Sequence, residues 1–195
     1  VAALADGRAI VVGGAVAGGV PVGSVEVFTP SPAGGAFALA VFSDPSLARI
    51  GATATTLLDG RVLVTGGVDG SGTPITAAAL IDATATSVVA TGSDAPRAEH
   101  GAVLLPDGRV FVAGGTTVVG DPTFATPAAA IFDPSLGQFV TLDSLMAARH
   151  RPGIAYAGGA VVVFGGAGPA SGGFSGEETA ERYDDVANHW VEIAG

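Results

Sequence analysis

Residues 97–115 read Arg97-Ala98-Glu99-His100-Gly101-Ala102-Val103-Leu104-Leu105-Pro106-Asp107-Gly108-Arg109-Val110-Phe111-Val112-Ala113-Gly114-Gly115. Two apolar runs flank an Asp-Gly step, and the second run stops at a glycine pair. Asp-Gly between apolar runs is a strong hairpin signal, because the tight type I′ turn demands positive φ. The stretch therefore predicts a strand over 102–105, a turn, and a returning strand over 110–113. Further along, Phe132-Asp133-Pro134 leads to Phe139, seven residues after the first aromatic. This reads as a second hairpin, with its turn at the Asp-Pro step and its two aromatics as anchors.

The same unit recurs. Glycine pairs end apolar runs at Gly13-Gly14, Gly66-Gly67, Gly114-Gly115 and Gly165-Gly166, with spacings of 53, 48 and 51 residues. Asp-Gly-Arg precedes the first three pairs, at Asp6-Gly7-Arg8, Asp59-Gly60-Arg61 and Asp107-Gly108-Arg109. The fourth unit has Gly158-Gly159-Ala160 there. Downstream anchors recur as well: Tyr183-Asp184 leads to Trp190, Ile81-Asp82 to Val88, and Phe28-Thr29-Pro30 to Phe37 with two extra residues. Four strands per unit and a period near 50 residues predict radial repetition rather than a sandwich. The units divide the chain into one region of four blades, 1–45, 46–93, 94–145 and 146–195.

Composition agrees. The 195 residues include 31 glycines and 12 prolines without a collagen period, which requires many turns and short elements. At 48% hydrophobic and 13% charged, the chain has ample core material and is not a disordered one. Its net charge is −10 and all eight basic residues are Arg, so it lacks the basic stripes that neutralise nucleic-acid phosphates or an anionic membrane surface. There is no Cys, which removes disulfides, thiolate metal sites and Cys nucleophiles. No apolar run reaches the roughly 18 residues of a membrane-spanning helix.

These motifs resemble the kelch repeat family over nearly the whole chain. Repeat three carries the likeness most clearly, and Leu145-Met146-Ala147-Ala148-Arg149 leads into repeat four in the same manner. Repeat two departs in lacking a closing aromatic, and repeat one in lacking an Arg-containing lead-in. The resemblance implies an all-β, kelch-type β-propeller of four-stranded blades; rings of this family usually have six or seven, so the four blades are expected to be part of such a ring, the alternative being a small four-bladed one. The absent lead-in suggests that the chain starts inside the first strand of a blade, so the remaining blades of the same propeller are expected as partners. The resemblance also carries a family expectation of a bacterial protein that is secreted or displayed on a cell surface.

Topology sorts residues onto faces. The Arg lead-ins and the loops after the glycine pairs share one face, and the Asp-Gly-Arg turns lie on the other. Arg49 and Arg97 stand ten residues before their turns, and Arg149 falls within one residue of that register. His100, His150 and Arg151 lie beside them. This group could form a cationic cup for a carboxylate-bearing peptide or sugar, using forked, charge-assisted hydrogen bonds. The alternative is that each Arg pairs with an acid such as Asp94, Glu99 or Asp143 and pins the blades together. Repetition favours the second reading for the recurring arginines. Arg151, which has no counterpart in the other repeats, is the best ligand candidate.

The expected function is a non-catalytic recognition or scaffold module for a protein or carbohydrate ligand, with no cofactor, metal, nucleic acid or membrane insertion. The glycine pairs show no phosphate-loop pattern, and Asp69-Gly70-Ser71-Gly72-Thr73 has too few carboxylates for a Ca²⁺ site. His189, beside Trp190 on an outer strand, is expected to face solvent. Of two catalytic relatives of the fold, galactose oxidase needs a Tyr cross-linked to Cys, which this chain cannot supply. The other, of sialic acid mutarotase type, uses Arg, His and acidic groups in the central cup, and stands as the alternative function.

Overall fold

The structure is a computed structural model that describes every residue except Ala33, Ser171, Gly172, Glu177, Ala194 and Gly195. Strands β1 (Ala2–Ala3), β2 (Ala9–Val12), β3 (Ser24–Thr29) and β4 (Ala36–Ser43) form the first sheet. The second holds β5 (Thr53–Thr56), β6 (Val62–Thr65), β7 (Ala77–Ile81) and β8 (Val88–Ser93). Next come β9 (Gly101–Leu104), β10 (Val110–Ala113), β11 (Ala129–Asp133) and β12 (Gln138–Leu142). The last contains β13 (Gly153–Ala157), β14 (Ala160–Phe164), β17 (Ala180–Asp184) and β18 (His189–Ile193), with a separate hairpin of β15 (Ala167–Ala170) and β16 (Gly173–Gly176) inserted. All pairings are antiparallel meanders, and successive sheets stack face to face as the blades of a β-propeller.

Stacking explains why the second strands are apolar without alternation. Such a strand is covered on both faces, so every position is inward. In β6, Val62 and Val64 pack on Ile10, Val25 and Val27 of the first blade, while Leu63 turns the other way, toward Val110, Val112 and Phe132 of the third. In β10, Phe111 points onward to Val161, Val163, Tyr183 and Trp190 of the fourth blade. The three cores thus lie between consecutive blades. Each large apolar side chain buried there contributes about 1.5–3 kcal/mol. The fourth strands are outer edges and largely exposed.

The anchors fall opposite one another as their spacing predicts: Phe132 pairs Phe139, Tyr183 pairs Trp190, Ile81 pairs Val88 and Phe28 pairs Phe37. The first-hairpin turns differ from the type I′ expectation. Only the glycines have positive φ, at 85° for Gly7, 85° for Gly60 and 91° for Gly108. Gly108 N–H donates to Leu105 C=O and Leu105 N–H to Arg109 C=O, which is a three-residue loop with a type I turn and a glycine bulge. Asp107 reinforces it by accepting from Arg109 N–H at 3.0 Å and Nε at 2.8 Å, and Asp6–Arg8 and Asp59–Arg61 do the same. The two-residue turn with both φ positive occurs instead at Gly158 and Gly159, 60° and 84°.

The glycine-rich stretch after the fourth glycine pair, which reads as a loop, instead pairs Ala167–Ala170 with Gly173–Gly176 as the β15–β16 hairpin. The glycine pairs end their strands at the blade junctions. A Cβ on Gly66 would sit 2.5 Å from Arg97 C=O, and one on Gly114 2.7 Å from Arg149 C=O, so only glycine admits the neighbouring lead-in.

Candidate functional site

Arg49, Arg97 and Arg149 are 3%, 1% and 0% exposed, and their donors end on protein. Arg49 donates through Nη1 to Gly66 and Ala77 C=O at 3.1 and 3.0 Å, and through Nε to Ser46 C=O at 2.9 Å. Arg97 reaches Ala128 C=O at 2.6 Å and places Nε 3.0 Å from Asp94 Oδ2. Arg149 donates to Glu181 through Nε and Nη2, to Gly165 and Thr179 C=O, and to the Thr179 hydroxyl, all within 2.8–3.0 Å. The Arg49 and Arg149 guanidiniums clasp the second and third strands of their own blades, and Arg97 reaches the third. Each backbone C=O accepts an N–H from the preceding blade: Gly14 to Arg49, Gly67 to Arg97, Gly115 to Arg149. The lead-in arginine is thus a rivet between blades, with Asp94 as a partner where expected and Glu181, rather than Asp143, holding Arg149.

Burial dominates the electrostatics. It pushes the Asp94 carboxyl above its ordinary value against the attraction of Arg97, and pulls the Arg97 and Arg49 guanidiniums below theirs. An ion pair of this kind is costly to break but gives little net stabilisation.

Two residues beyond each lead-in arginine the chain turns left-handed. Gly51, Glu99 and Arg151 have φ of 74°, 55° and 52°. Glu99 N–H donates to Gly51 C=O at 2.6 Å, and Arg151 N–H to Glu99 C=O at 3.0 Å, so the three positions form a ladder from blade to blade. Arg151 therefore does have counterparts, Glu99 and Gly51, hidden by their unlike residue types. A left-handed conformation at a non-glycine residue costs on the order of 1–3 kcal/mol and concentrates at functional sites.

Glu99 is the centre of this group. Its carboxylate accepts from Gly120 N–H at 2.8 Å, His150 Nε2 at 2.6 Å, and Arg151 through Nε at 3.1 Å and through Nη2. Burial alone raises its carboxyl, yet bonds from Arg151, Gly120 and His150 hold it below the ordinary range. Glu99 is enclosed while the Arg151 side chain is 65% exposed. His100 is buried, with Nε2 2.8 Å from the Thr53 hydroxyl and Nδ1 without a partner. Desolvation, helped by the Arg97 charge, pulls the ring down to about 3, so it is neutral at physiological pH.

Two shallow hollows flank Arg151, of about 300 and 330 Å³. Thr53, Glu99 and His100 border one; Gly120, Pro122 and His150 border the other. The lead-ins and the loops after the glycine pairs meet here, as topology predicts. Of the sequence candidates, Arg151, His100 and His150 line these hollows, and Arg49, Arg97 and Arg149 lie beneath the surface. Thr53, Gly120 and the central place of Glu99 escape sequence reasoning; the offset of two from each lead-in arginine is the signal that finds Glu99. Elsewhere, Asp69 is occupied by Ser71 and Thr73 of its own turn, and His189 is exposed on β18. No group of three metal-ligating side chains occurs among the described residues.

No family model matches the sequence, and no curated protein matches it. Among solved structures, that of YjhT superposes with a TM-score of 0.68 at 15% identity, over 88% of this chain and 59% of YjhT. This chain thus spans 59% of the length of that neighbour. The likeness establishes the β-propeller fold.

Proposed function

We propose that the chain is the recognition surface of a kelch-type propeller and that an acidic ligand, a peptide or sugar carboxylate, binds over Arg151. One observation carries this reading: Arg151 is presented to solvent from a left-handed backbone while its carboxylate partner is already committed to His150 and Gly120. A guanidinium held in this way offers its outer edge to a second carboxylate through forked, charge-assisted bonds. Thr53 and His150, at the borders of the two hollows, supply further polar contacts. Further blades of the same ring cover the outward faces of the first and fourth blades, where Val11 and Phe28, and Val162 and Phe164, turn away from the three cores.

Titration calorimetry with N-acetylneuraminate and with a glutamate-rich peptide, each against its amide or ester analogue, tests the proposal. Saturable binding that Arg151→Ala weakens at least about tenfold supports it. Unchanged affinity of that variant for every acidic ligand bound would refute it.

A second reading, a carbohydrate-active enzyme on a sugar acid, is favoured by the 2.6 Å contact of His150 with Glu99, a pair able to move a proton beside a substrate held by Arg151. Anomer exchange of the sugar acid followed by NMR distinguishes the two, since a recognition module leaves the exchange rate unchanged.

A further inference from the structure

On the face opposite Arg151 the three blade junctions are not alike. Between the second and third blades Leu58, 68% exposed, leans its Cδ1 to 3.1 Å from where a Cβ on Gly108 would stand. Between the third and fourth, the counterpart of Leu58 is Pro106 and that of Gly108 is Gly159, in a turn one residue shorter. Arg109 is replaced by Ala160. A cleft of about 210 Å³ lies at this junction. An apolar cavity of about 150 Å³ is enough to take benzene.

The cleft has an apolar floor and an acidic mouth. Leu105, Phe111, Ile131 and Val161 form the floor, all buried. Tyr183 edges against Phe111 at 5.1 Å and donates its hydroxyl to Asn188 at 2.6 Å; Tyr156 stands half exposed at the side. Arg109 at the rim is tied to Asp107 at 2.7 Å. Arg182, whose β17 position pairs with Val162 and Val191, directs its side chain to the other face of the sheet. Asp185 lies exposed at the mouth with no hydrogen bond or ion pair among the described residues. The surrounding field is negative: Asp107 foremost, then Asp133 and Asp185, hold the Arg109 guanidinium above its usual value.

We propose that this cleft is a binding site for a small arylalkyl amine, whose ring packs on the floor of Leu105, Phe111, Ile131 and Val161 and whose ammonium pairs with Asp185. An anion meets the Asp185 carboxylate there, with the Arg109 guanidinium already tied to Asp107.

Ligand-observed NMR titration of the whole chain with phenethylamine, 2-phenylethanol and phenylacetate tests it. The amine is expected to bind in the millimolar range, and phenylacetate at least about tenfold more weakly. Asp185→Asn should bring the amine to the affinity of the alcohol and leave the alcohol unchanged. Leu105→Trp, which fills the buried floor, should weaken binding of all three, Pro106→Leu should change little, and Arg151→Ala should alter none. Absence of amine binding at about 10 mM overturns the proposal. Equal binding of phenylacetate does so too, as does unaltered amine affinity in Asp185→Asn. Should Leu105→Trp fail to fold, the Asp185→Asn comparison decides alone.

Discussion

Arg149 and Arg151 stand two residues apart and have opposite surroundings. Arg149 is fully enclosed, with Glu181, Thr179 and Gly165 taking its donors. Arg151 shows most of its side chain to solvent and shares one carboxylate. The first recurs in blade after blade and holds the ring together; the second belongs to a position occupied elsewhere by Glu99 and Gly51. The recurring residue is thus enclosed and structural, while the neighbouring register varies in residue type and faces solvent at Arg151.

The contrast can be broken from the buried side. Arg149→Ala leaves Glu181 charged and unpaired in the interior, and should cost about 3–5 kcal/mol in urea unfolding. Replacing both partners, as Arg149→Met with Glu181→Leu, should recover only part of that loss, because Met146 and Ala147 N–H and Gly165 and Thr179 C=O also lose a partner.

His100 offers a pH test of the same buried layer. Its folded value of about 3 lies below the usual 6.5. Above the usual value neither state is protonated and the ring has no effect on stability. As pH falls from about 6.5 toward 3, the unfolded chain takes up a proton that the folded one refuses, so stability drops by up to about 1.4 kcal/mol per pH unit. Subtracting the unfolding free energies of His100→Gln, measured over the same range, should isolate this slope.

Glu99→Gln should act on both layers at once. It removes the charge that His150 and Arg151 share, and an effect of about 1–3 kcal/mol on thermal unfolding is expected. Smallest in stability is Arg151→Gly. It relieves a left-handed non-glycine residue while losing a half-exposed ion pair, so the net change should stay within about 1 kcal/mol. Calorimetry on that variant should nonetheless show the acidic ligand lost.

Much of the blade was legible. Strand order, the hairpins and the anchors seven residues apart follow from local patterning, and Phe132 opposite Phe139 needed only a period and a turn. The type of turn was less so: Asp-Gly admits both a two-residue and a three-residue loop, and the Asp107–Arg109 clip decided for the longer one. The β15–β16 hairpin was hidden because a glycine-rich stretch reads as loop whether or not it pairs. For the candidate site, the lead-in arginines were found and their surroundings were not. A guanidinium at a given register can face water or carbonyls, and the sequence distance to Ala77, Ala128 or Thr179 gives no hint that those carbonyls lie within reach.

What the sequence by itself determined is the repeat: an alternation of apolar runs, turn residues and glycine pairs whose period leaves no other arrangement for the strands. Only the tertiary structure decided which arginine is exposed, that Glu99 gathers His150 and Arg151, and that a cleft lies beneath the turns between the third and fourth blades. Those outcomes depend on contacts between blades about fifty residues apart. There the stacking of one sheet on the next, rather than any local preference, sets what each side chain meets.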